Sequence, residues 1–344
     1  MGIRKSITLS MSEITRAFSA YKKSHGELAL ESELTFPMEL QFKDDLAGII
    51  SEFEFTRYDA QQYNSAFIKM MERGRDNTGF IYDASVYNRY SRPLRHMDNI
   101  PNSTLQIGPG GSLGCEVLFA LSGVQKAYTL DPFLILTFDL EGFIESLKVL
   151  FETMSLFQGI GNFDSSFLNF PELKILGTGH YRIGKSTVRH FDSRSFNCTG
   201  FENASVDYLF SHATMEHVID PLHCIRETKR VLKPGGLTAH CIDLRDHRNF
   251  DVPLGFLRES REAWEEIMQE YCSIVPHGYM NRWRASEYKE AFEHEGFEVL
   301  EDVAEMKVSD AMIDAELPLV DDKYKSFERE DLRTTTLFIV ARKV

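Results

Sequence analysis

A stretch of bare backbone, LQIGPGGSLG at residues 105–114, constrains this chain more than any other feature. Four glycines and a proline follow a short apolar run, and a second apolar segment begins directly after them. A buried strand, a glycine turn and a helix in this order are typical of the first βα turn in an open α/β sheet. Glycines there let the backbone approach a ligand, and free N–H groups at the start of the helix attract an anion. The sequence therefore predicts a ligand site at this turn.

The sequence after residue 103 alternates between strand patterns and helix patterns. Strands separated by helices usually pair in parallel, so we expect an α/β fold. In detail, we expect a Rossmann-like, mostly parallel, seven-stranded sheet with helices on both faces. The predicted strands are STLQI, KAYTLD, STVRHFD, VDYLFSH, LTAHCIDL, the end of SEYKEAFEHEGFEVLEDVAE, and TTTLFIVARK.

Helical spacing with few strand signals characterises the N-terminal part, so residues 1–100 are predicted to form a helical cap. Residues 101–344 form the predicted ligand-binding domain. Within it, the segments 133–186 and 245–285 exceed the usual length of a βα connection, and we expect insertions there. Each leaves from the end of a strand, which predicts that they act as lids over the carboxyl edge of the sheet.

Composition narrows the class of partner. The formal net charge of −14 in 344 residues repels phosphate backbones, so nucleic acid is not an expected partner. No uncharged run approaches the ~18 residues that a membrane span needs, so no membrane association is expected. The five cysteines are scattered without a CxxC pair, which is typical of reduced thiols in a cytoplasmic protein.

An acidic residue marks the end of the second predicted strand. Asp131 follows Gly108 by about 20 residues, where a carboxylate can accept hydrogen bonds from both hydroxyls of a ribose. This combination fits any nucleoside cofactor, NAD included. The dinucleotide fingerprint GxGxxG, however, requires its third glycine at position 113, where this chain has Leu113.

Five motifs resemble, in order, those of the class I S-adenosylmethionine-dependent methyltransferases, in the type 11-like branch with EHV after the fourth strand. They are LQIGPGGSLG, AYTLD, VRHFD, VDYLFSHATMEHV and ETKRVLKPGGLTAHCIDL, within residues 100–245. The resemblance implies S-adenosylmethionine as the cofactor. Its methionyl part would contact the glycine loop, its ribose the second strand, its adenine the acidic residue after the third strand, and its sulfonium the fourth strand. The residues so implied are Gln106, Gly108, Gly110, Gly111, Asp131, Pro132, Asp192, Ser211 and His212.

Gln106 departs from the family pattern, which usually has Asp or Glu two residues before the first glycine. An amide oxygen can accept a hydrogen bond from the cofactor ammonium, but it lacks the charge that helps hold a cation. We expect weaker binding at this position, or compensation by another carboxylate.

Polar residues gather around the predicted ends of the fourth and fifth strands. Methyl transfer from a sulfonium needs an aligned nucleophile, and it needs a base only where that nucleophile arrives protonated. The predicted base is a histidine helped by an aspartate, with His240 favoured. The candidate catalytic residues are His240, His212, Asp243 and His247.

The segment HCIDLRDH also has a spacing that a metal could use. Hydrogen bonds and surface charges explain such clusters more often, so no metal site is predicted. His217, which follows Glu216, is interpreted as a helix-start residue that packs on the cofactor.

The segment HGYMNRWRASEY concentrates polar and aromatic residues. A guanidinium beside aromatic rings suits a substrate carboxylate or phosphate, so Tyr279, Asn281 and Arg282 are predicted to bind substrate. The alternative is a helix-entry segment that pairs with Glu287 and Glu290.

Three functions stay open at this point. The favoured one is methyl transfer to an O, N or S atom of a small polar molecule. The second is a nicotinamide-dependent oxidoreductase, against which Leu113 counts. The third is a catalytically silent nucleoside-binding protein, for which Gln106 is the hint.

Overall fold

A computed structural model describes residues 80–133, 136–144, 147 and 172–344. Most of the predicted helical cap, residues 1–79, lies outside the described residues, as does the middle of the predicted insertion 133–186. The boundary expected between residues 100 and 101 stays a prediction.

One mixed sheet organises the described strands, and its order is β3-β4-β5-β2-β1-β6-β7-β9-β8. Strand β1 pairs in parallel with β2 and with β6, and β6 pairs in parallel with β7. Three pairs are antiparallel: β3 with β4, β7 with β9, and β8 with β9. The strands are β1 Ser103–Ile107, β2 Lys126–Asp131, β3 Leu173–Gly177, β4 His180–Ile183, β5 Ser186–Asp192, β6 Val206–His212, β7 Leu232–Asp243, β8 Phe297–Lys307 and β9 Thr334–Lys343.

The expected α/β class is confirmed, but the sheet has nine strands among the described residues where seven were predicted. The two additional strands are the hairpin β3–β4, which lies within the predicted insertion 133–186. This part of the insertion extends the edge of the sheet, so it is not a lid. The roofing role expected for the rest of the two insertions stays a prediction.

The order of the other seven strands separates this sheet from the dinucleotide-binding one. Numbered along the chain without the hairpin, they run 3-2-1-4-5-7-6, whereas the common dinucleotide-binding order is 3-2-1-4-5-6. The difference arises because the last strand, β9, inserts antiparallel between β7 and β8.

The chain divides into two compact units. The first comprises Met1–Arg92, Gly110–Gln125 and Ile135–Val188. Two of its described helices are α1, Phe80–Ser91, and α2, Gly114–Leu121. Every residue of α2 is buried. The ring of Tyr87 in α1 packs edge-on against Phe119 in α2, with centroids 5.0 Å apart. This contact makes the two helices one packed layer.

The second unit comprises Pro93–Pro109, Lys126–Leu134 and Arg189–Val344. It has one apolar cluster around β1, β6 and β7 and another around the helix Arg261–Ile274 and the segments near it. Its helices are α3 Pro221–Val231, α4 Arg261–Ile274, α5 Ala285–His294, α6 Asp310–Glu316 and α7 Arg329–Arg333. Within the described part of the chain, every helix is too short or too polar to cross a bilayer.

Candidate active site

The topological switch point of the sheet lies between β1 and β6. The connections of an open α/β sheet diverge at such a point, and the crevice at the carboxyl ends of the strands is where ligands bind. Ile107, the last residue of β1, pairs with Ser211 of β6. The residues after the two strands therefore leave from the same edge. Gly108 follows β1, and Ala213 and Thr214 follow β6.

A contact within the protein explains why residue 108 is a glycine. Its φ is +68°, and a Cβ added there would lie 2.6 Å from Oγ1 of Thr214. That hydroxyl donates to the carbonyl oxygen of Ile107 at 3.3 Å. Ala213 has a φ of 49°, uncommon for a residue with a side chain, and its N–H donates to the carbonyl of Cys241 in β7. The strained turn thus packs the side chain of Thr214 against the glycine loop.

Three further loop glycines, Gly110, Gly111 and Gly114, lie in the first unit and differ from one another. A Cβ on Gly114 would lie 2.2 Å from Oδ2 of Asp83 and 2.3 Å from the ring of Phe143, so packing explains its bareness. Gly110 has a φ of +68°, and no described atom lies within 4 Å of an added Cβ. The carbonyl of Gly111 accepts a hydrogen bond from the N–H of Thr137. Of these three, Gly110 is the position open to a ligand.

Gln106 carries an orphaned acceptor one residue before the end of β1. The residue is 4% exposed, and its Oε1 has no hydrogen-bond partner among the described residues. A buried acceptor without a partner costs about 1–3 kcal/mol, so it needs a donor from elsewhere. A ligand ammonium group at the switch point would supply that donor.

Asp131 ends β2 and is 4% exposed. Its Oδ1 accepts the N–H of Phe133 at 2.8 Å, which orients the carboxylate, while Pro132 between them is exposed. Asp192 ends β5 with a half-exposed side chain, and its Oδ1 lies 2.9 Å from Nε2 of His190. Both aspartates therefore lie at strand ends, and the hydrogen bond from Phe133 orients that of β2. Their contacts with a cofactor stay predictions.

His240 occupies the core, which argues against the predicted role as base. It is fully buried in β7, with Ser211 Oγ 2.7 Å from its Nδ1 and Thr238 Oγ1 2.6 Å from its Nε2. Its ring also stacks on Phe292 at 5.6 Å. With both nitrogens bonded inside the protein, neither is available to a substrate. The same bond occupies the predicted cofactor contact Ser211 from within the core.

The end of β6 presents a different histidine. His212 is half-buried and pairs with Cys241 of the neighbouring strand β7. Because the side chains of a strand alternate, His212 projects from the opposite face to Ser211. Of the two predicted histidines on these strands, His212 is thus the one that is partly accessible.

Asp243 ends β7 in an ion pair. Arg245 donates to both of its carboxylate oxygens, at 2.8 and 2.5 Å. Burial alone would raise the pKa of Asp243, but the bonds from Arg245 and the nearby His247 hold it below its usual range. Nε2 of His247 lies 3.4 Å from Oδ2 of Asp243. The predicted helpers Asp243 and His247 are therefore neighbours, and the aspartate stays ionised.

Glu216 and His217 lie beside this pair, in a short 3₁₀ turn, Met215–His217. Burial raises the pKa of Glu216 to about 8 and lowers that of His217 to about 4, so both are largely neutral near pH 7. The rings of His217 and His247 lie 4.9 Å apart, edge to face. From the sequence, His217 was expected to be a packing residue and Glu216 had no expected role. The sequence signal for this group was the pair Glu216–His217 after β6 together with His247 after β7.

Two of the predicted substrate residues donate hydrogen bonds to backbone carbonyls. Both hydrogens of the Asn281 amide are donated, to the carbonyls of Met215 and Val218, at 2.7 and 3.0 Å. Arg282 is 7% exposed and donates to the carbonyls of Phe256 and Glu259. The Asn281 amide and Nη1 of Arg282 therefore bond within the protein, and a substrate contact by either residue stays a prediction.

Tyr279 is half-buried, and its carbonyl oxygen lies 2.7 Å from Nδ1 of His217. Its hydroxyl lies 3.4 Å from a carboxylate oxygen of Glu265. Of the three predicted substrate residues it is the one with a partly exposed side chain, and its role there stays a prediction.

A family model described as "Methyltransferase domain" matches residues 180–239. The matched segment runs from β4 into β7 and includes the switch-point residues after β6. This segment of the chain is similar to methyltransferase domains. S-adenosylmethionine, the cofactor of the family that the motifs resemble, has an ammonium group that would match the orphaned oxygen of Gln106.

Solved methyltransferase structures are similar to this one over most of the chain. An S-adenosylmethionine-dependent methyltransferase from Mesorhizobium loti is 11% identical, with 74% of this chain and 97% of that chain covered and a TM-score of 0.39. One from Methanosarcina mazei is 14% identical, with 73% and 95% covered and a TM-score of 0.37. At TM-scores below 0.5 these likenesses establish neither fold nor function. No curated protein matches the sequence.

Gly110 and Gly235 provide a matched pair for testing the glycine loop. Both have positive φ, +68° and +75°, and open space where a Cβ would be, so alanine strains both backbones similarly. We expect Gly110→Ala to weaken S-adenosylhomocysteine binding about tenfold or more, because the methyl group would enter the cofactor's space. Gly235→Ala should keep the wild-type affinity. Calorimetric titration of both variants measures this, and equal affinities would make the loop a turn without a ligand role.

The core position of His240 predicts a pH dependence of stability. Burial lowers its pKa to about 3, so the folded state stays neutral while the unfolded chain takes up a proton near pH 6.5. Stability is therefore lost as the pH falls from 6.5 toward 3. Between pH 7.5 and 4.5, the free energy of unfolding of the wild type should fall by ~2–3 kcal/mol more than that of His240→Gln. Urea titrations at the two pH values measure the difference, and parallel losses would contradict the buried neutral ring.

Proposed function

We propose that this methyltransferase moves the methyl group of S-adenosylmethionine to an O, N or S atom of a small polar molecule. The observation that carries the proposal is the switch point, where an orphaned acceptor on β1 and a partly accessible histidine on β6 lie on neighbouring strands. Gln106 and His212 are those two groups. One suits the cofactor, and the other suits the acceptor.

Bound S-adenosylmethionine supplies a methyl group that is already activated for displacement. The protein's part is to hold the sulfonium and the acceptor in line, which accounts for most of the acceleration in such reactions. Gln106 would accept from the ammonium group and Asp131 from the ribose hydroxyls. The predicted loop contacts Gly108, Gly110 and Gly111 complete this proposal, with Pro132, Asp192 and Ser211 as further contacts.

Of the predicted catalytic residues, we favour His212 as the base. His240 is sealed in the core, and Asp243 is neutralised by Arg245, so neither is suited to take a proton from a substrate. His212 is half-buried at the end of β6, which lets it face both solvent and a bound molecule. We therefore move the proposed base role from His240 to His212. The proton of the acceptor would pass to its imidazole as the methyl group is transferred.

The class of acceptor is inferred from charge and from the polar strand ends. A net charge of −14 disfavours nucleic acid. Polar side chains at the ends of β6 and β7, among them His212, suit a molecule with its own hydrogen-bonding groups. A cytoplasmic setting is part of the proposal, supported by five cysteines that are all free thiols.

The oxidoreductase alternative loses support from two features. Leu113 replaces the third glycine of the dinucleotide fingerprint. The strand order also departs from the dinucleotide-binding order where β9 inserts. A silent nucleoside-binding protein would share the same cofactor cleft, so turnover separates it from an enzyme.

Asp131 tests the cofactor part of the proposal. Asp131→Asn keeps an acceptor for the N–H of Phe133 and removes the charge that would face the ribose. We expect S-adenosylhomocysteine affinity to fall about 10- to 100-fold, since a charged hydrogen bond is lost. Asp220→Asn is the control, because Asp220 also accepts a backbone N–H, at the start of α3. Calorimetry with S-adenosylhomocysteine and NADH also separates the cofactors, and binding of NADH alone would favour the oxidoreductase.

His212 tests the chemistry. Protein, cofactor with a labelled methyl group and the small-molecule fraction of a cell extract are incubated, and labelled products are separated by mass. We expect His212→Ala to lower product formation by ~10²–10⁴, while S-adenosylhomocysteine affinity falls far less because Gln106 and Asp131 keep their proposed contacts. His223→Ala, on the exposed side of α3, should match the wild type. A loss of less than about tenfold would mean that alignment alone carries the reaction and that His212 is not the base.

A further inference from the structure

A compact group of metal-ligating side chains lies beside the proposed acceptor site. One ligand atom each from Glu216, His217 and His247 lies within 4.8 Å of the other two. Glu216 and His217 belong to the turn after β6, and His247 follows the end of β7. Two imidazoles and a carboxylate are a donor set typical of divalent transition-metal sites with open positions.

Glu216 presents an unused oxygen to this group. The residue is 4% exposed, and its Oε1 accepts the backbone N–H of Asp243 at 3.3 Å. Its Oε2 is buried and has no hydrogen-bond partner among the described residues. One oxygen is thus anchored to β7, and the other is left without a partner inside the protein. An orphaned carboxylate oxygen at such burial calls for a ligand that the protein itself does not provide.

His217 has the outer-shell bond that metal-binding histidines usually have. Its Nδ1 lies 2.7 Å from the carbonyl oxygen of Tyr279, and only an Nδ1–H can donate to a carbonyl. That bond fixes the tautomer, so the lone pair lies on Nε2, and it also fixes the plane of the ring. His217 is therefore prepared to bind a cation through Nε2.

His247 completes the group from the other strand end. Its backbone N–H donates to Sδ of Met280, and its ring packs against Phe250 at 5.4 Å, so the side chain is held in place. Nε2 is buried without a hydrogen-bond partner in the described part of the chain. The Asp243 oxygen at 3.4 Å lies beyond good hydrogen-bond distance but adds negative potential near the ring.

The turn that carries two of the ligands is held rigidly. Asn281 donates to the carbonyls of Met215 and Val218, on either side of the Glu216–His217 pair. Its own N–H donates to the carbonyl of Glu216 at 2.9 Å, and Tyr288 donates its hydroxyl to the carbonyl of Met215. A clamp of four hydrogen bonds on one short turn fixes where its side chains leave the backbone.

We propose that Glu216, His217 and His247 bind one divalent transition-metal cation of the Zn²⁺ class. Ligand atoms around a tetrahedral cation with ~2.0–2.1 Å bonds lie ~3.4 Å apart, so the group needs to close by about an ångström. Three protein ligands leave a fourth position for water or for an oxygen of a bound molecule. This inference stands independently of the proposed acceptor and of the role of His212.

The experiment uses full-length protein without a histidine tag, stripped with a chelator and then exchanged into chelator-free buffer. Zn²⁺ is titrated calorimetrically, and Co²⁺ is added in parallel to read its visible absorption. The variants are Glu216→Gln and His247→Gln, which keep the size of each side chain nearly unchanged. His294→Gln is the control, since that imidazole lies on α5 with a side chain 77% exposed. Thermal melting without metal checks that each variant folds.

We expect the wild type and His294→Gln to bind one Zn²⁺ and to bring out the Co²⁺ bands of nitrogen and oxygen ligands. Glu216→Gln and His247→Gln should each lose about 10- to 100-fold or more in Zn²⁺ affinity while folding normally. No stoichiometric binding by the wild type would overturn the proposal. Undiminished binding by folded Glu216→Gln and His247→Gln would overturn it too, because the cation would then be held elsewhere. If one of the two fails to fold, the other decides.

Discussion

The parallel pairing of β1 with β6 is the constraint on which the rest of the site depends. It places the glycine loop after β1 in contact with the turn after β6. The side chain of Thr214 in that turn occupies the space that a side chain on Gly108 would need. The pairing also reverses the direction of the connections, which opens the crevice. The polar groups of the site lie around this contact, because Gln106 precedes one turn and His212 and Glu216 flank the other.

Buried polar side chains in the second unit differ in how far the protein itself satisfies their hydrogen bonds. His240 has a hydroxyl at each ring nitrogen. Arg284 is fully buried and donates to the carbonyls of Leu244 and Leu332. At His240 the fold supplies a partner for both ring nitrogens, whereas Nε of Arg284 is buried without a partner among the described residues. Gln106 and Glu216 each keep a buried oxygen for which the described residues offer no donor, and both lie near the switch point.

Local patterns in the sequence predicted the strands well, since each buried strand has a short apolar run with clear turn signals. β1, β2, β5, β6 and β9 have the predicted bounds. The hairpin β3–β4 was not predicted because β3 is largely exposed, with Ile175 at 62% exposure. Burial therefore imposes no alternation of apolar and polar residues on its sequence.

The roles of single polar residues were harder to predict than the strands. Strand alternation correctly separated His240 from Cys241, but it cannot show which face a helix seals. Phe292 of α5 closes the face that carries His240. Likewise, Asn281 and Arg282 look like ligand-binding residues until the backbone carbonyls around them are known. Those carbonyls belong to segments far away in the sequence.

Glu216 is buried at this corner with a carboxylate oxygen for which the described residues offer no donor. Its carboxyl group stays protonated in the fold up to about pH 8, whereas the unfolded chain ionises it near pH 4.5. Stability is therefore lost as the pH rises from 4.5 toward 8, by ~3 kcal/mol at pH 7. His217 has the opposite pH dependence, because its pKa falls to about 4 and its contribution to stability is lost as the pH drops below 6.5.

An apolar side chain in place of Glu216 would avoid the loss of stability that comes from burying this carboxyl group. A marginally stable protein that retains such a group gains something other than stability from it, and a ligand for the orphaned oxygen is the gain that the geometry supports.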